Sequence, residues 1–342
     1  MRKIIFLLGA ILFLGLPIRA QIVDKYAQLV SEQSVDFLPT YFFKPDPSGQ
    51  HIGYTQKTDK LFIFDMNSKN SKRVDGKFDP VFFPLPQSDK KIVVTSLGNY
   101  GNDSGLAFIE WQDKVSTKTD FKKIFKDGEV KGVYQSVGIL KKISQDEFYF
   151  RVMVQVAAGV NGNNFLYRDY KYKQNTIKPL SIENKATKYV PICKNLSLSL
   201  AMISKDGREV VGYNMKTQNT QVLELNSDHT CSIVDDWNFI AGKAAFSYDK
   251  RFITYHKLSN YVYNRDGFIN TPKNDMIGNI YLFDRQTKTH YPLTQYENGT
   301  AMYPEFLEND EIIFIYYSHK SGSDIDVKFV RIKPNTPVSQ LP

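Results

Sequence analysis

Hydrophobic residues recur along the chain in short runs that are rich in β-branched and aromatic side chains. Polar clusters of Asp, Asn, Ser and Gly separate these runs, and such clusters are typical of tight turns between strands. One segment, residues 22–34, has a pattern that predicts a short helix. The remaining pattern predicts an all-β domain, with its clearest strands at residues 61–64, 91–95, 148–154, 252–255, 280–283 and 312–317.

Similar turn motifs precede many of the strands. Each motif contains Asp, Asn or Ser, which stabilise tight turns through side-chain hydrogen bonds. Their spacing is about 40 to 60 residues, which is typical of propeller blades with four strands each. Six motifs predict six blades, although a seven-bladed or an open arrangement would also fit the spacing. The motifs lie at residues 46–49, 87–90, 144–147, 204–207, 247–250 and 308–311.

The last repeat contains three strand-like segments, and a fourth strand is missing from it. Residues 35–43 could supply this strand, because closing the ring would remove an open sheet edge. The sequence therefore predicts a six-bladed β-propeller of four-stranded antiparallel blades, closed by an N-terminal strand. The predicted boundaries are a signal peptide at 1–20, an N-terminal segment at 21–40, the propeller at 41–335 and a tail at 336–342.

Three segments of the fifth repeat have a sequence pattern that resembles a known family of repeats. Residues 245–255 (AFSYDKRFITY), 278–284 (GNIYLFD) and 291–294 (YPLT) resemble the TolB-type β-propeller repeat. This repeat also occurs in the propellers of prolyl-oligopeptidase-like enzymes. The resemblance implies a protein-binding platform in a bacterial periplasm. TolB-family proteins also have an N-terminal α/β domain. Residues 21–40 are too few to form such a domain, so we expect the resemblance to apply to the propeller alone.

The N-terminus predicts the compartment. Arg2 and Lys3 precede an uncharged apolar stretch at residues 4–18, and Ala20 follows it. This is the pattern of a secretory signal peptide, although an uncleaved anchor would have a similar sequence. No other segment is apolar for long enough to cross a membrane. We therefore expect a periplasmic or secreted protein without a membrane span in the mature chain.

Composition and charge narrow the class of protein. With 342 residues, 42% hydrophobic and 14% aromatic, the chain is neither disordered nor a polytopic membrane protein. The formal charge of +8 falls to +5 when Arg2, Lys3 and Arg19 leave with the signal peptide. The remaining lysines are scattered, as on a solvated surface, so we expect no nucleic-acid partner.

Two cysteines, Cys193 and Cys231, allow a single intramolecular pairing. An exported protein reaches an oxidising compartment, where disulfide bonds form and persist. We therefore predict a Cys193–Cys231 disulfide bond, with two free buried thiols as the alternative.

The sequence lacks the common catalytic and cofactor motifs. It has no G-x-S-x-G nucleophile elbow, no H-E-x-x-H zinc motif and no phosphate-binding glycine loop. We therefore predict no catalytic residues and no cofactor. Asp324 and Asp326 lie two residues apart, a spacing that could hold a cation, although a polar turn that enters the final strand is the favoured interpretation. Four further acids are candidates for converging carboxylates like those of propeller glycosidases, namely Asp235, Asp236, Asp266 and Asp275.

A long insertion at residues 256–276 is the predicted binding site. Long loops on a rigid scaffold often carry binding function, and its aromatic and polar residues suit sugar or peptide recognition. The alternative is a decorated loop whose aromatic rings pack on the blade. The predicted binding residues are Tyr261, Tyr263, Asn264, Arg265, Asp266 and Phe268.

These observations favour an exported, monomeric and non-catalytic scaffold. Its expected partner is an envelope protein or a glycan. The alternative is a propeller hydrolase or lyase that acts on envelope or extracellular polysaccharide. That alternative requires several acids to converge at one mouth of the propeller channel.

Overall fold

The structure is a computed structural model, and it describes residues 22–37, 43–56, 60–73, 80–82, 91–96, 105–111, 122–126, 132–144, 147–156, 165–174, 176–180, 190–259, 276–319 and 325–335. Within these ranges the chain forms β-strands and turns, without a helix. Accordingly, the described part contains no helix that could cross a membrane.

An N-terminal strand precedes three antiparallel units. The N-terminal strand is β1 (Ala27–Val35). Unit 1 consists of β2 (Phe43–Pro45), β3 (His51–Gln56), β4 (Lys60–Asp65) and β5 (Asn70–Arg73). Unit 2 consists of β6 (Pro80–Phe82), β7 (Lys91–Ser96), β8 (Gly105–Trp111) and β9 (Lys122–Lys126). Unit 3 consists of β10 (Gly132–Ser144), β11 (Glu147–Val156), β12 (Phe165–Lys173), β13 (Thr176–Pro179) and the short β14 (Val190–Pro191).

Three further units complete the described chain. Unit 4 consists of β15 (Leu198–Ile203), β16 (Glu209–Asn214), β17 (Asn219–Leu225) and β18 (Cys231–Asp236). Unit 5 consists of β19 (Ala244–Phe246), β20 (Phe252–Leu258), β21 (Gly278–Asp284) and β22 (Thr289–Pro292). Unit 6 consists of β23 (Thr300–Phe306), β24 (Ile312–His319), β25 (Ile325–Pro334) and β1. One parallel pair, Gly278 with Thr300, joins units 5 and 6 into an eight-stranded sheet.

The N-terminal segment forms a strand where the sequence pattern predicts a helix. β1 runs antiparallel to β25, from Ala27 opposite Pro334 to Val35 opposite Val327. The helix prediction for residues 22–34 is therefore wrong, because the edge of β25 supplies a ladder partner that local propensity does not register. The strand also lies before the segment 35–43 that we expected to pair, and residues 38–42 are outside the described ranges.

The units pack on one another through apolar faces. One buried cluster joins units 1 and 6 and includes Phe43, Tyr54 and Phe329. Another joins units 4 and 5 and includes Met202 and Tyr255. The first strands contact one another in chain order, and the last of them contacts the first. These contacts are β2 with β6, β6 with β10, β10 with β15, β15 with β19, β19 with β23, and β23 with β2.

The predicted turn motifs lie between the first and second strands of the units. In three of them, the first residue of the turn accepts a backbone hydrogen bond from the fourth, which has a positive φ: Gly49 (71°), Gly207 (73°) and Lys250 (63°). The last turn shows the same bond from Asp310 (φ 64°) to Leu307. It therefore spans residues 307–310, one residue before the motif predicted at 308–311. The motif at residues 87–90 and the middle of the motif at 144–147 lie outside the described ranges.

The order of Ser and Asp differs from one of these turns to another. In unit 1 Asp46 is the first residue, and its Oδ1 accepts a hydrogen bond from Ser48 Oγ at 3.0 Å. In unit 4 Ser204 is the first residue and donates to Asp206 Oδ1 at 2.6 Å. Ser247 donates to Asp249 Oδ1 at the same distance in unit 5. The same hydroxyl–carboxylate contact therefore stabilises the turn whichever residue comes first.

A disulfide bond joins Cys193 and Cys231. Cys193 follows unit 3, and Cys231 begins the outermost strand of unit 4. Asn195 binds the backbone of Cys231 twice, accepting from its N–H at 2.9 Å and donating to its carbonyl at 3.1 Å. The bond that the sequence predicts is therefore present, and it attaches the connection between the two units to a sheet edge.

Candidate functional site

Charged side chains from four units meet where the first strands contact one another. Lys44 lies in β2, Lys205 in the turn after β15, Lys243 immediately before β19, and Glu305 in β23. We call these four residues the central site. They come from units 1, 4, 5 and 6, so no local sequence window contains more than one of them.

Alignment of the turns gives the position of each residue along the first strand of its unit. Lys205, Tyr248 and Glu308 are all the second residue of a turn, because Ser204, Ser247 and Leu307 are equivalent first residues. Lys44 and Glu305 lie two residues before the turn of their unit, and Lys243 lies four residues before Ser247. The central site therefore extends from the turn end of the first strands towards their middle.

Lys44 and Glu305 form a buried ion pair. The ammonium of Lys44 donates to Glu305 Oε1. The side chains are only 11% and 7% exposed, so both charges have lost most of their hydration. Burial alone would raise the pKa of Glu305, but the positive charges of Lys44, Lys205 and Lys243 lower it below its ordinary value. Glu305 is therefore an ionised carboxylate at neutral pH.

Lys205 carries a positive charge that its surroundings only partly compensate. Burial lowers the pKa of its ammonium, Glu305 opposes this shift, and the neighbouring charge of Lys44 adds to it. The net result is a pKa below the ordinary lysine value. The Lys205 Nζ atom also lies 5.1 Å from the centre of the Tyr248 ring, within the range of a cation–π contact.

Tyr248 is a neutral hydroxyl group beside these charges. Burial raises the pKa of its phenol, and the negative charges of Glu308, Glu305 and Asp46 raise it further. The phenol therefore stays protonated over the physiological range and can donate a hydrogen bond. Tyr248 and Lys205 are both partly exposed, so the turn end of the central site is open to solvent.

His256 connects the inner part of this site to two strands. Its Nδ1 accepts a hydrogen bond from the backbone N–H of Tyr303 at 3.3 Å, and its ring donates to the backbone of Lys243. Burial is the main reason that its pKa falls to about 3, and the charge of Lys243 lowers it further. His256 is thus a neutral imidazole that positions the backbone on either side of it.

Tyr303 has an uncommon backbone conformation. Its φ is 55°, and Leu200, at the equivalent position four residues before its turn, has a φ of 50°. The ladder shifts register at both places, between Met302 and Glu305 and between Ser199 and Met202. Left-handed backbone at a bulky residue costs free energy and often accompanies functional sites. These bulges precede Glu305 and Lys205 and set how their side chains are presented.

Of the residues predicted as binding or metal ligands, only Asp326 lies within the described ranges. The predicted loop residues Tyr261, Tyr263, Asn264, Arg265, Asp266 and Phe268 lie outside the described ranges, as do Asp275 and Asp324. Asp326 lies in β25, opposite Ser318. Within the described ranges, His, Cys, Asp and Glu side chains form no group of three that could hold a metal ion.

Two other predicted acids form structural contacts. Asp235 pairs with Lys288 and lies 3.9 Å from Arg285. Asp236 accepts hydrogen bonds from Asn219 at 2.7 Å and from Gln221 at 2.6 Å. Both acids lie in β18 and interact with neighbouring strands or the adjacent unit.

The residues of the central site were not predicted from the sequence. The turn register is a signal for one of them, Lys205: once the turns are aligned, their second residues are Pro47, Lys205, Tyr248 and Glu308. Such chemical variety at one repeated position is typical of a functional surface on a repeat scaffold. Lys44 and Lys243 carry no comparable signal.

No family model and no curated protein matches this chain. Solved structures do match it. A glucose dehydrogenase aligns with 89% of this chain and 98% of its own, at 10% identity and a TM-score of 0.52. TolB from Acinetobacter baumannii covers 84% of this chain and 65% of its own, at 10% identity and a TM-score of 0.45. An oligogalacturonate lyase from Vibrio parahaemolyticus covers 84% and 76%, at 10% identity and a TM-score of 0.46.

The chain has a β-propeller fold, in which the first strands of its antiparallel units contact one another in cyclic order. This confirms the fold that the repeat predicts, over most of the chain. Identities of 10% concern the fold alone, so none of these proteins identifies a ligand or a reaction for this one.

Proposed function

We propose that this protein is an exported, monomeric, six-bladed β-propeller that binds an envelope protein or a glycan without catalysing a reaction. Its proposed contact surface is the turn end of the central site. The observation that carries the proposal is the set of charges from four separate units at that position. Burying charges costs free energy, and packing the blades does not require them. Such an arrangement is therefore expected where a partner binds.

The proposed blade count rests on the contacts of the first strands. Six first strands contact one another in a cyclic order, from β2 through β23 and back to β2. The pairing of β1 with β25 gives the last unit a fourth strand from the opposite end of the chain. Such pairing would close the ring and cover an edge that could otherwise join another chain.

The proposed export rests on two independent features. Residues 1–20 have the pattern of a signal peptide, and they lie outside the described ranges. The Cys193–Cys231 bond is of a kind that persists in oxidising compartments and is rare in the cytosol. Cell fractionation with an antibody against the protein tests this part, and cytoplasmic protein of full length would contradict it.

The predicted loop is proposed as a second contact region. Its two ends are joined by a hydrogen bond from Ser259 N to Ile277 O at 2.9 Å. These ends lie at the opposite end of β20 from the turn at residues 247–250, because the strand runs from Phe252 to Leu258.

Capture of envelope material tests the binding role. Immobilised protein should retain one or a few envelope components from its native cells. The Lys205→Glu variant should lose them, because it reverses a charge at the open end of the central site. The control is Lys216→Glu, which makes the same change on the exposed β16–β17 turn. Equal retention by both variants would contradict the proposed surface.

A lyase is the second candidate function, and one observation favours it. A lysine with a lowered pKa is a better general base than an ordinary lysine, and Lys205 has a lowered pKa with its Nζ 5.1 Å from the ring centre of a neutral tyrosine. Removal of a proton next to a sugar carboxylate would be the corresponding first step. Incubation with acidic polysaccharides and detection of unsaturated products tests this candidate. Activity that the Lys205→Gln substitution abolishes would replace the scaffold proposal.

A further inference from the structure

We infer that one face of unit 3 binds an acidic polysaccharide, whose carboxylates pair with lysines and whose sugar rings pack on a tyrosine. The inference rests on the proposed function and deepens it, because it names the chemical class of the glycan. We call this surface the lysine face, and it consists of Lys141, Glu147, Tyr149, Lys171, Lys173 and Lys178.

The strand register places these side chains on one side of the sheet. Lys141 in β10 lies opposite Tyr149 in β11, and Tyr149 lies opposite Lys171 in β12. Lys171 in turn lies opposite Lys178 in β13. Residues directly opposite one another share a face of the sheet, so these four form a row across four strands. Adjacent strands are about 4.8 Å apart, and the row therefore spans about 14 Å.

The lysines of this face exceed its acids. Glu147 and Lys173 form the next opposed pair on the same side. The ammonium of Lys171 pairs with Glu147 Oε1, and Lys173 Nζ lies 3.1 Å from Glu147 Oε2. Within the described ranges, Glu147 is the one acid paired with the four lysines. Asp146 precedes it outside these ranges, and even with Asp146 the lysines outnumber the acids by two.

Unit 4 covers the deeper part of the same side of the sheet. Arg151, two residues along β11 from Tyr149, donates from Nη1 to the carbonyl of Gly207 at 3.1 Å. The Tyr167 hydroxyl of β12 lies 2.7 Å from His229 Nδ1. Gly207 and His229 lie in the two turns that end unit 4 on this side. The lysine face therefore begins where the neighbouring unit ends.

The lysine face is open to solvent at the turn end of the molecule. Lys141 and Lys178 are exposed, and Tyr149 and Lys171 are half-buried. The turn of unit 4 that Arg151 contacts also contains Lys205 of the central site. A long ligand at the turn end can therefore contact both surfaces.

Charge and shape together favour an acidic polysaccharide. Lysine ammonium groups form charge-assisted hydrogen bonds with carboxylates such as those of uronic acids. Tyr149 lies within the row, with Lys171 Nζ 5.4 Å from its ring centre, and an aromatic ring offers a flat apolar surface to a sugar ring. A row of charges about 14 Å long suits a polymer that carries a charge at regular intervals. A single small anion would reach only part of it.

Isothermal titration calorimetry with polygalacturonate tests the inference. We expect saturable binding that weakens as sodium chloride is added, and no binding of the neutral polymer dextran. The Lys141→Glu/Lys178→Glu variant should bind polygalacturonate at least tenfold more weakly. The control, Lys216→Glu/Lys333→Glu, makes the same change of charge at exposed positions of units 4 and 6 and should bind within twofold of the unmodified protein. Circular dichroism verifies that both variants are folded.

A second pair of variants tests the contact with the sugar ring. Tyr149→Ala should weaken the binding of polygalacturonate at least threefold, because it removes the flat apolar surface. Tyr149→Phe keeps that surface and should bind within twofold of the unmodified protein. Equal binding by all three proteins would show that no sugar ring packs on Tyr149, and the inference would be wrong in that part.

The remaining outcomes separate this inference from its competitors and from the proposed function. Tighter binding of polyglutamate, or of vesicles of phosphatidylglycerol and phosphatidylcholine, would overturn the choice of a glycan. Failure of polygalacturonate to bind, or equal weakening in the two charge variants, would overturn the inference as a whole. If envelope capture still depends on Lys205 in that case, the proposed binding role stands. If polygalacturonate binds at the lysine face and capture does not depend on Lys205, the contact surface at the central site is wrong instead.

Discussion

Lys44 and Glu305 are separated by 261 residues in the chain, yet their side chains form a buried ion pair between β2 and β23. The pair joins the first strand of unit 1 to the first strand of unit 6. It therefore lies where the two ends of the repeat meet, and it is the centre of the charged site described above.

Substitution of Glu305 by Gln should strongly destabilise the fold. The change leaves the buried ammonium of Lys44 without its carboxylate, and breaking one side of a buried pair costs about 3–5 kcal/mol. Urea unfolding measures the free energy of unfolding. Lys194→Gln is the control, because its pair with Asp228 is exposed to solvent and contributes little to stability. Equal losses in the two variants would show that the Lys44–Glu305 pair is not buried in solution.

Acid should destabilise the protein through His256. Burial holds the pKa of His256 at about 3 in the folded protein, against an ordinary value of 6.5. Between these values the unfolded chain takes up a proton that the folded protein does not. The free energy of unfolding should therefore fall as the pH drops from 6.5 towards 3, by up to about 1.4 kcal/mol per pH unit.

Two variants test which histidine causes the loss of stability in acid. His256→Gln should make the free energy of unfolding less dependent on pH across the whole interval. His290→Gln should do so over a narrower interval, because the pKa of His290 is lowered to about 4, mainly by burial. If the pH dependence is unchanged in His256→Gln, the imidazole is accessible to water in solution.

Gly242 has no room for a side chain. A Cβ atom at this position would lie 2.0 Å from His256 Nε2, well inside van der Waals contact. Gly242→Ala should therefore displace the imidazole from its bonds to Lys243 and Tyr303 and lower the melting temperature. Gly212→Ala provides a graded comparison, since its nearest contact would be 3.2 Å. The prediction is wrong if Gly242→Ala is the milder of the two.

Loss of the Cys193–Cys231 bond should destabilise the fold without changing it. The bond closes a loop with a sequence separation of 38, for which the loop-entropy relation gives roughly 3–4 kcal/mol. Mass spectrometry of the non-reduced protein should detect the linked peptides. The Cys193→Ser/Cys231→Ser variant should unfold at a lower urea concentration. Free thiols in protein recovered from the exported fraction would refute the bond.

Removal of residues 22–35 should expose an edge of unit 6. β1 pairs with β25 over most of its length, and Asn335 donates backbone and side-chain hydrogen bonds to the carbonyls of Tyr26 and Asp24. We expect the truncated protein to be less stable and to aggregate, because β25 becomes an open edge. A synthetic peptide of residues 22–37 should restore stability, whereas a scrambled peptide should not. If truncation has no effect, β1 does not close the sheet.

Much of the fold could be predicted from residues that lie close together in the chain. Turn chemistry such as Ser204 with Asp206 is local, so the repeat and the strands that it separates are visible in the sequence. The exceptions are instructive. β1 has a helix-like pattern, and it is a strand because β25, about 300 residues later, provides its partner.

Little of the candidate site could be predicted, since its members share no local pattern. Lys44 and Lys243 look like any other scattered lysines in a chain that has many of them. Their burial and their proximity to Glu305 depend on how four units meet. Electrostatic effects act through space, and a sequence motif records only neighbours along the chain.

The sequence by itself determined the strand content, the turn motifs, the TolB-like repeat and the one pairing open to Cys193 and Cys231. Each follows from side-chain chemistry within a short window or from a count of residues. Only the tertiary structure decided that β1 is a strand, that the last turn begins at Leu307, and that three lysines surround one glutamate. The pairing of β1 with β25 and the meeting of the charged residues depend on contacts between residues far apart in the chain, which form only when the chain folds back on itself.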